Sequence, residues 1–129
     1  MNILAVGDIV GTIGVKELQK RLQKIKNDYN VDFAIVNGEN AAEGMGITLK
    51  NFKDILSAGA DCVTMGNHTW GKKEIFSFID EPKLIRPANY PKSVCGKGYN
   101  IYKCKDKKIA VINALGRAEI SIMLDNPFE

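Results

Sequence analysis

Three short segments of this 129-residue sequence concentrate the side chains able to do chemistry: Gly7-Asp8-Ile9-Val10-Gly11, Asn37-Gly38-Glu39-Asn40 and Gly66-Asn67-His68-Thr69-Trp70. They hold two carboxylates, several carboxamides and the only histidine of the chain. Carboxylate and amide oxygens suit hard divalent or trivalent ions, a carboxylate such as Glu39 can bridge two of them, and an imidazole suits iron, manganese or zinc. Two such ions about 3.5–4 Å apart activate water and clamp a phosphate. Glycines flanking each segment permit tight turns and leave backbone N–H groups free for phosphate oxygens.

Each segment also has a plain structural reading. Asp8 alone, after a strand, is more often a turn or capping residue than a ligand. Asn37-Gly38 is a common turn dipeptide, and Asn40 could accept from loop amides. His68 beside Trp70 could be an ordinary packed histidine. The glycines from Gly7 to Gly14 do not follow the G-x-G-x-x-G spacing of a dinucleotide loop, and Asp8 sits where a phosphate would approach. The functional reading gains because the plain one would have to hold at three successive strand ends.

Those strand ends follow from the hydrophobic pattern. Apolar runs at 3–6, 33–36 and 62–65 read as buried strands, and a further brief strand is expected at 84–85. Between the first two, Val15, Leu18, Leu22, Ile25 and Tyr29 recur at steps of three and four, which predicts one apolar helix stripe. A second helix is expected at 49–58, with Thr48 as N-cap and Gly59 just past its end. A short helix at 73–79 ends before Pro82. A loop spans 87–98, and 99–104 and 109–115 read as an antiparallel hairpin added to the sheet through the polar 105–108 connection. The alternation predicts an α/β fold: a mostly parallel sheet flanked by helices with an added antiparallel hairpin. Ligands of open α/β sheets bind at the carboxyl ends of the strands, where all three polar segments fall.

From 116 to 129 the pattern weakens, and only two good helices and one short one are available to cover two faces. The chain therefore reads as a single, truncated domain over 1–129. An alternative is an assembly in which two copies share exposed sheet surface.

Composition bounds the function further. The 18 basic and 15 acidic residues are spread along the chain, which disfavours duplex DNA as the main ligand but is compatible with a small anion. Three cysteines without a C-x-x-C pair argue against a disulfide framework or thiolate zinc site. No apolar run is long enough to span a membrane and no secretory signal is visible, so a cytoplasmic location is expected.

Taken together, Val6-Gly7-Asp8-Ile9-Val10-Gly11, Asn37-Gly38-Glu39-Asn40-Ala41-Ala42, Gly46-Ile47-Thr48 and Gly66-Asn67-His68-Thr69-Trp70 resemble the bacterial YmdB-type metallophosphoesterases, a branch of the calcineurin-like phosphoesterases. Arg86-Pro87-Ala88-Asn89-Tyr90-Pro91, Val111-Ile112-Asn113 and Gly116-Arg117 extend the likeness over essentially the whole chain. Val10 stands where the wider superfamily has the histidine of Asp-x-His, a feature of this branch. The resemblance implies half of a four-layer α/β/β/α sandwich. It also implies hydrolysis of phosphodiesters such as 2′,3′-cyclic nucleotides at a dinuclear centre, with iron favoured and manganese or zinc as alternatives. Asp8 and Asn40 would bind the first metal, Glu39 would bridge, Asn67 would bind the second, and His68 would be the catalytic histidine. Family members are roughly twice as long, and their later half supplies three more metal-binding histidines. This chain has none after His68. A non-catalytic module of RNA metabolism or regulation, binding a phosphate ligand or partner, is the competing expectation.

Overall fold

In the computed structural model, which describes residues 1–118, 120 and 123–128, period-two patterning sorts the strands' side chains onto two differently covered faces. The strands are β1 (Ile3–Val6), β2 (Phe33–Asn37), β3 (Cys62–Thr64) and β4 (Leu84–Ile85), parallel and in the order β1-β2-β3-β4. The register pairs Val6 with Val36, Asn37 with Thr64, and Thr64 with Ile85, so the strand ends are level. Ala34, Val36, Val63 and Leu84 point to one face, where they join the larger core with Val15, Leu18, Leu22, Phe52 and Ile55. Phe33, Ile35, Cys62 and Ile85 point to the other, into a smaller core with Cys104, Ile109 and Val111.

Crossover connections of one hand, feeding strands laid down in unbroken order, all fall on the same side of the sheet. The helices α1 (Gly11–Asp28) and α2 (Leu49–Ser57) do so and pack against each other. Thr48 caps α2 as expected: its hydroxyl accepts from the Asn51 amide at 3.1 Å, and the Asn51 side chain returns to the Thr48 amide. Ala58 is the C-cap, and Gly59 follows at φ +112°, where a side chain would be strained. Full burial of Leu22 and Ile55 contributes roughly 1.5–3 kcal/mol each.

The second face is covered by β5 (Tyr99–Cys104) and β6 (Lys107–Ile112), which pair antiparallel. The antiparallel hairpin expected from the sequence is present, and rather than joining the main sheet it forms a separate two-stranded one, because Cys104, Ile109 and Val111 bury against Phe33, Cys62 and Ile85. Unbroken strand order therefore replaces the second helical layer with a sheet. Helices, main sheet and hairpin make three successive layers.

Smaller departures have local causes. The hairpin turn is only Lys105-Asp106, with Lys105 at φ +56°, because Lys107 and Lys108 pair with Cys104 and Lys103. Tyr29, expected on the α1 stripe, is 70% exposed because α1 ends before it and Tyr29 serves as its C-cap. Strand β3 ends at Thr64, although Met65 stays buried. The short helix is a 3-10 turn over Lys73–Ser77. The expectation for 116–129 falls partly on residues outside the described ones; among the described residues there, none lies in a helix or strand.

Candidate active site

Backbone bonds gather the three loops before any side chain is considered. The Ile9 amide donates to Asn37 O (3.1 Å), Gly11 to Asn40 O (2.9 Å) and Gly38 to Thr64 O (3.0 Å), so each strand-end segment is tied to its neighbour. The N-terminus of α1 begins at Gly11 beside Asn40, and its dipole favours negative charge there. Asp8 sits at φ +31°, outside the regions a non-glycine residue normally adopts, a conformation that costs on the order of 1–3 kcal/mol.

The side chains then interlock around Asn40. Its Nδ2 donates to Asp8 Oδ1 at 2.7 Å, and its Oδ1 lies 2.5 Å from His68 Nδ1. With Nδ2 turned to Asp8, Oδ1 can only accept, so His68 Nδ1 carries a proton and Nε2 is the ring nitrogen left for a ligand. Glu39 is held from two sides. Its own amide donates to Asn37 Oδ1 at 3.3 Å, and its Oε2 accepts from the His68 amide at 3.2 Å. Gly66 leaves the space the carboxylate fills: a Cβ there would stand 2.1 Å from Glu39 Oε2. Of the two uses the sequence offers for this glycine, a tight turn and close approach, the structure shows close approach, here to the Glu39 side chain.

Of the five residues picked from the sequence, Asp8, Asn40 and His68 form one hydrogen-bonded chain, and Glu39 joins it through the His68 backbone. Asn67 is exposed, and its side chain makes no hydrogen bond among the described residues. The donors are hard oxygens with one imidazole, the set that suits iron, manganese or zinc, and the Gly66 cradle keeps the Glu39 carboxylate at the loops' junction. The same geometry engages Asn40 Oδ1 with His68, and among the described residues no three of His, Cys, Asp and Glu converge as a metal cluster. The residues present fit part of a metal shell.

Residues of the same motifs, given no role from the sequence, support the cluster. Thr69 is fully buried and donates to Gly66 O at 2.6 Å, clamping the turn that carries Asn67 and His68. Trp70 stacks on Phe76 at 5.4 Å and meets the edge of Tyr90 at 5.7 Å. The Tyr90 hydroxyl is buried with no hydrogen-bond partner among the described residues, and burial pushes its phenol up from the ordinary value. Farther out, Asn113 Nδ2 donates to Met65 O, and Asn89 exchanges bonds with Leu115, so the 86–91 and 111–115 segments brace the β3 end. The Thr69–Gly66 bond is local, whereas the Trp70–Tyr90, Asn89–Leu115 and Asn113–Met65 contacts join segments too far apart in sequence for a local pattern to reveal.

Comparison with known proteins agrees with the fold. The family model for YmdB-like proteins matches residues 4–129. The chain is 49% identical over 129 residues to a 2′,3′-cyclic-nucleotide 2′-phosphodiesterase of Bacillus subtilis, covering 99% of this chain and 48% of the relative. It is 32% identical to a putative phosphatase/phosphodiesterase of Mycoplasma pneumoniae, covering 100% of this chain and 48% of that protein. A Thermus thermophilus hypothetical protein superposes with TM-score 0.92 at 33% identity, over 99% of this chain and 50% of the other. A Mycoplasma pneumoniae structure described as a novel phosphatase gives TM-score 0.90 at 32% identity, over 98% of this chain and 47% of the other. The chain thus spans about half the length of the curated relatives it matches.

Proposed function

Because the chain belongs to the YmdB-like protein family, we propose that it supplies one half of a metal-dependent phosphodiesterase acting on small phosphodiesters such as 2′,3′-cyclic nucleotides. The observation that carries this reading is the Asp8–Asn40–His68 chain with Glu39 cradled at Gly66, all at level strand ends. Asp8, Glu39, Asn40 and Asn67 are the residues that would hold two metal ions, with iron favoured over manganese or zinc. Bound ions of this kind supply Lewis-acid polarisation of the phosphoryl group and a nucleophile at neutral pH.

The chain's own groups account for the remaining steps. With Nδ1 engaged by Asn40, Nε2 of His68 is the ring nitrogen that would donate, in its protonated form, to the oxygen leaving phosphorus. The N-terminus of α1 adds a field that favours the phosphate's negative charge. Asn40 Oδ1 has a second lone pair, so it could bind an ion while still accepting from His68. With two carboxylates, two carboxamides and one imidazole, each ion would have only two or three ligands from this chain, so affinity and turnover of the chain alone are low.

The test is metal content and hydrolysis of bis-p-nitrophenyl phosphate after loading with manganese or ferrous iron. Bound metal that disappears in both Asp8→Ala and Glu39→Ala supports the reading, as does metal-retaining but inactive His68→Gln. Failure to bind either ion, or phosphate-ligand binding indifferent to both carboxylate substitutions, favours the non-catalytic module. The absence of any convergent trio of His, Cys, Asp and Glu among the described residues is the observation on that module's side.

A further inference from the structure

A cavity of about 590 Å³, comparable to small-molecule sites, opens between the 86–98 loop and the start of β5. None of Asp8, Glu39, Asn40, Asn67 or His68 lines it. Its wall includes Arg86, Lys92, Lys97 and Tyr99 and contains no acidic residue. Among the described residues no carboxylate pairs with any of the three cations.

Arg86 is the unusual member. It is only 6% exposed, yet its charge faces carbonyls alone: Nε donates to Cys95 O (2.9 Å), Nη1 to Pro87 O (2.7 Å) and Nη2 to Val94 O (3.0 Å). Those bonds use three of the five N–H groups of a guanidinium and fold the loop around it. Buried charges are ordinarily paired, because losing hydration without a counter-ion is costly. Burial accordingly pushes the Arg86 guanidinium down from its ordinary value. The Lys97 backbone is held beside that of Arg86, since the Arg86 amide donates to Lys97 O at 2.9 Å, and its exposed side chain lines the same cavity. Two lysines and an unneutralised arginine in one concavity form a site for a compact anion, and Arg matches phosphate oxygens in pairs.

Tyr99 adds the second half of a ligand. Tyr99 is 62% exposed at the cavity wall, and exposed aromatic side chains accept stacked bases. Beyond it on the same strand face, Lys103 stands directly opposite Lys108, a like-charge pair that is unfavourable without an anion nearby.

We propose that this cavity is a nucleotide-binding site separate from the strand-end cluster, with phosphate on Arg86, Lys92 and Lys97 and the base on Tyr99. The ligand is a nucleoside monophosphate unit, either free or at the end of a single RNA strand whose next phosphates lie along Lys103 and Lys108. It does not depend on the metal reading, and its test excludes metal.

Equilibrium dialysis of the 129-residue chain with AMP, inorganic phosphate and a short oligoadenylate, all in EDTA, decides the matter. Expected is saturable AMP binding at millimolar or lower concentration, tighter than phosphate, weakened about tenfold or more by Lys92→Glu/Lys97→Glu, a loss of at least about 1.4 kcal/mol. Tyr99→Leu should reduce AMP affinity to that of phosphate. The paired Asp8→Ala/Glu39→Ala variant should bind AMP unchanged. A free-nucleotide ligand predicts no response to Lys103→Glu/Lys108→Glu, whereas a strand ligand predicts that only oligoadenylate weakens. The lysines and Tyr99 are exposed, so circular dichroism should report an intact fold. No binding of millimolar AMP overturns the proposal, as does binding lost with Asp8→Ala/Glu39→Ala but indifferent to the lysine substitutions.

Discussion

The two ends of one parallel sheet treat their carboxylates in opposite ways. At the amino ends of the strands, Asp32 accepts from the Asn2 amide at 2.8 Å and pairs with Lys105, while Asp61 accepts from Lys26 Nζ at 2.9 Å and the Ala34 amide at 2.8 Å. Lys26 also caps Gly59 O at 2.7 Å, and Cys104 Sγ reaches Asp32 O. Each acid there has a cation and an amide. At the carboxyl ends, Asp8 and Glu39 have amide donors but no lysine or arginine partner among the described residues. The first edge neutralises its own charge. The second leaves it without a basic partner among the described residues, in loops that keep a strained Asp8.

That contrast breaks most visibly at Gly66. Gly66→Ala should displace Glu39, since the new Cβ would stand 2.1 Å from Oε2, and lower manganese affinity about 10–100-fold by titration calorimetry. Unchanged affinity would remove Glu39 from the metal reading. At the opposite edge, Asp61→Ala should leave metal uptake untouched and cost about 2 kcal/mol in urea unfolding, because Lys26 and the Ala34 amide lose their partner.

Asp8→Gly sharpens the comparison by separating stability from binding. Glycine relieves the positive φ, so unfolding free energy should rise by about 1 kcal/mol while metal uptake falls. A stability loss instead would make Asp8 a structural residue like Asp61. Thr48→Ala, removing the α2 cap near the carboxyl edge, should cost about 1 kcal/mol without altering metal affinity.

The smallest effect concerns pH. Lys105 and the Asn2 amide hold the Asp32 carboxyl below the usual carboxylate range. A lowered folded value stabilises the protein above the unfolded pKa of about 3.9, and the gain is lost as pH falls through the lower folded value. Melting temperature should therefore drop below about pH 4, and Asp32→Asn should flatten part of that drop. Lys105, raised chiefly by Asp32, mirrors this at the basic end: its contribution is full below its unfolded pKa of about 10.4 and fades as pH climbs through the raised folded value.

Much of this was legible in the residues. The alternation of apolar runs located β1, β2, β3 and β4 within a residue, and Thr48 marked the α2 start because capping is a local interaction. The three polar segments were visible because strand, turn and helix signals place them at strand ends. Tyr29 misled because helical periodicity continues past the point where a helix stops, and periodicity carries no termination signal.

What the sequence by itself determined is the set of elements and the chemistry available at their ends: hard oxygens, one imidazole and no thiolate pair. Only the tertiary structure decided that the hairpin becomes a second sheet, that Gly66 exists to admit Glu39, that Asn40 fixes the proton on His68, and that Arg86 lies buried among carbonyls beside an open cavity. The reason is physical. Capping and periodicity are settled within a few residues, whereas close approach, charge compensation and the covering of a sheet face depend on segments from 26 to 72 positions apart, such as Asn89 with Leu115 and Asp32 with Cys104.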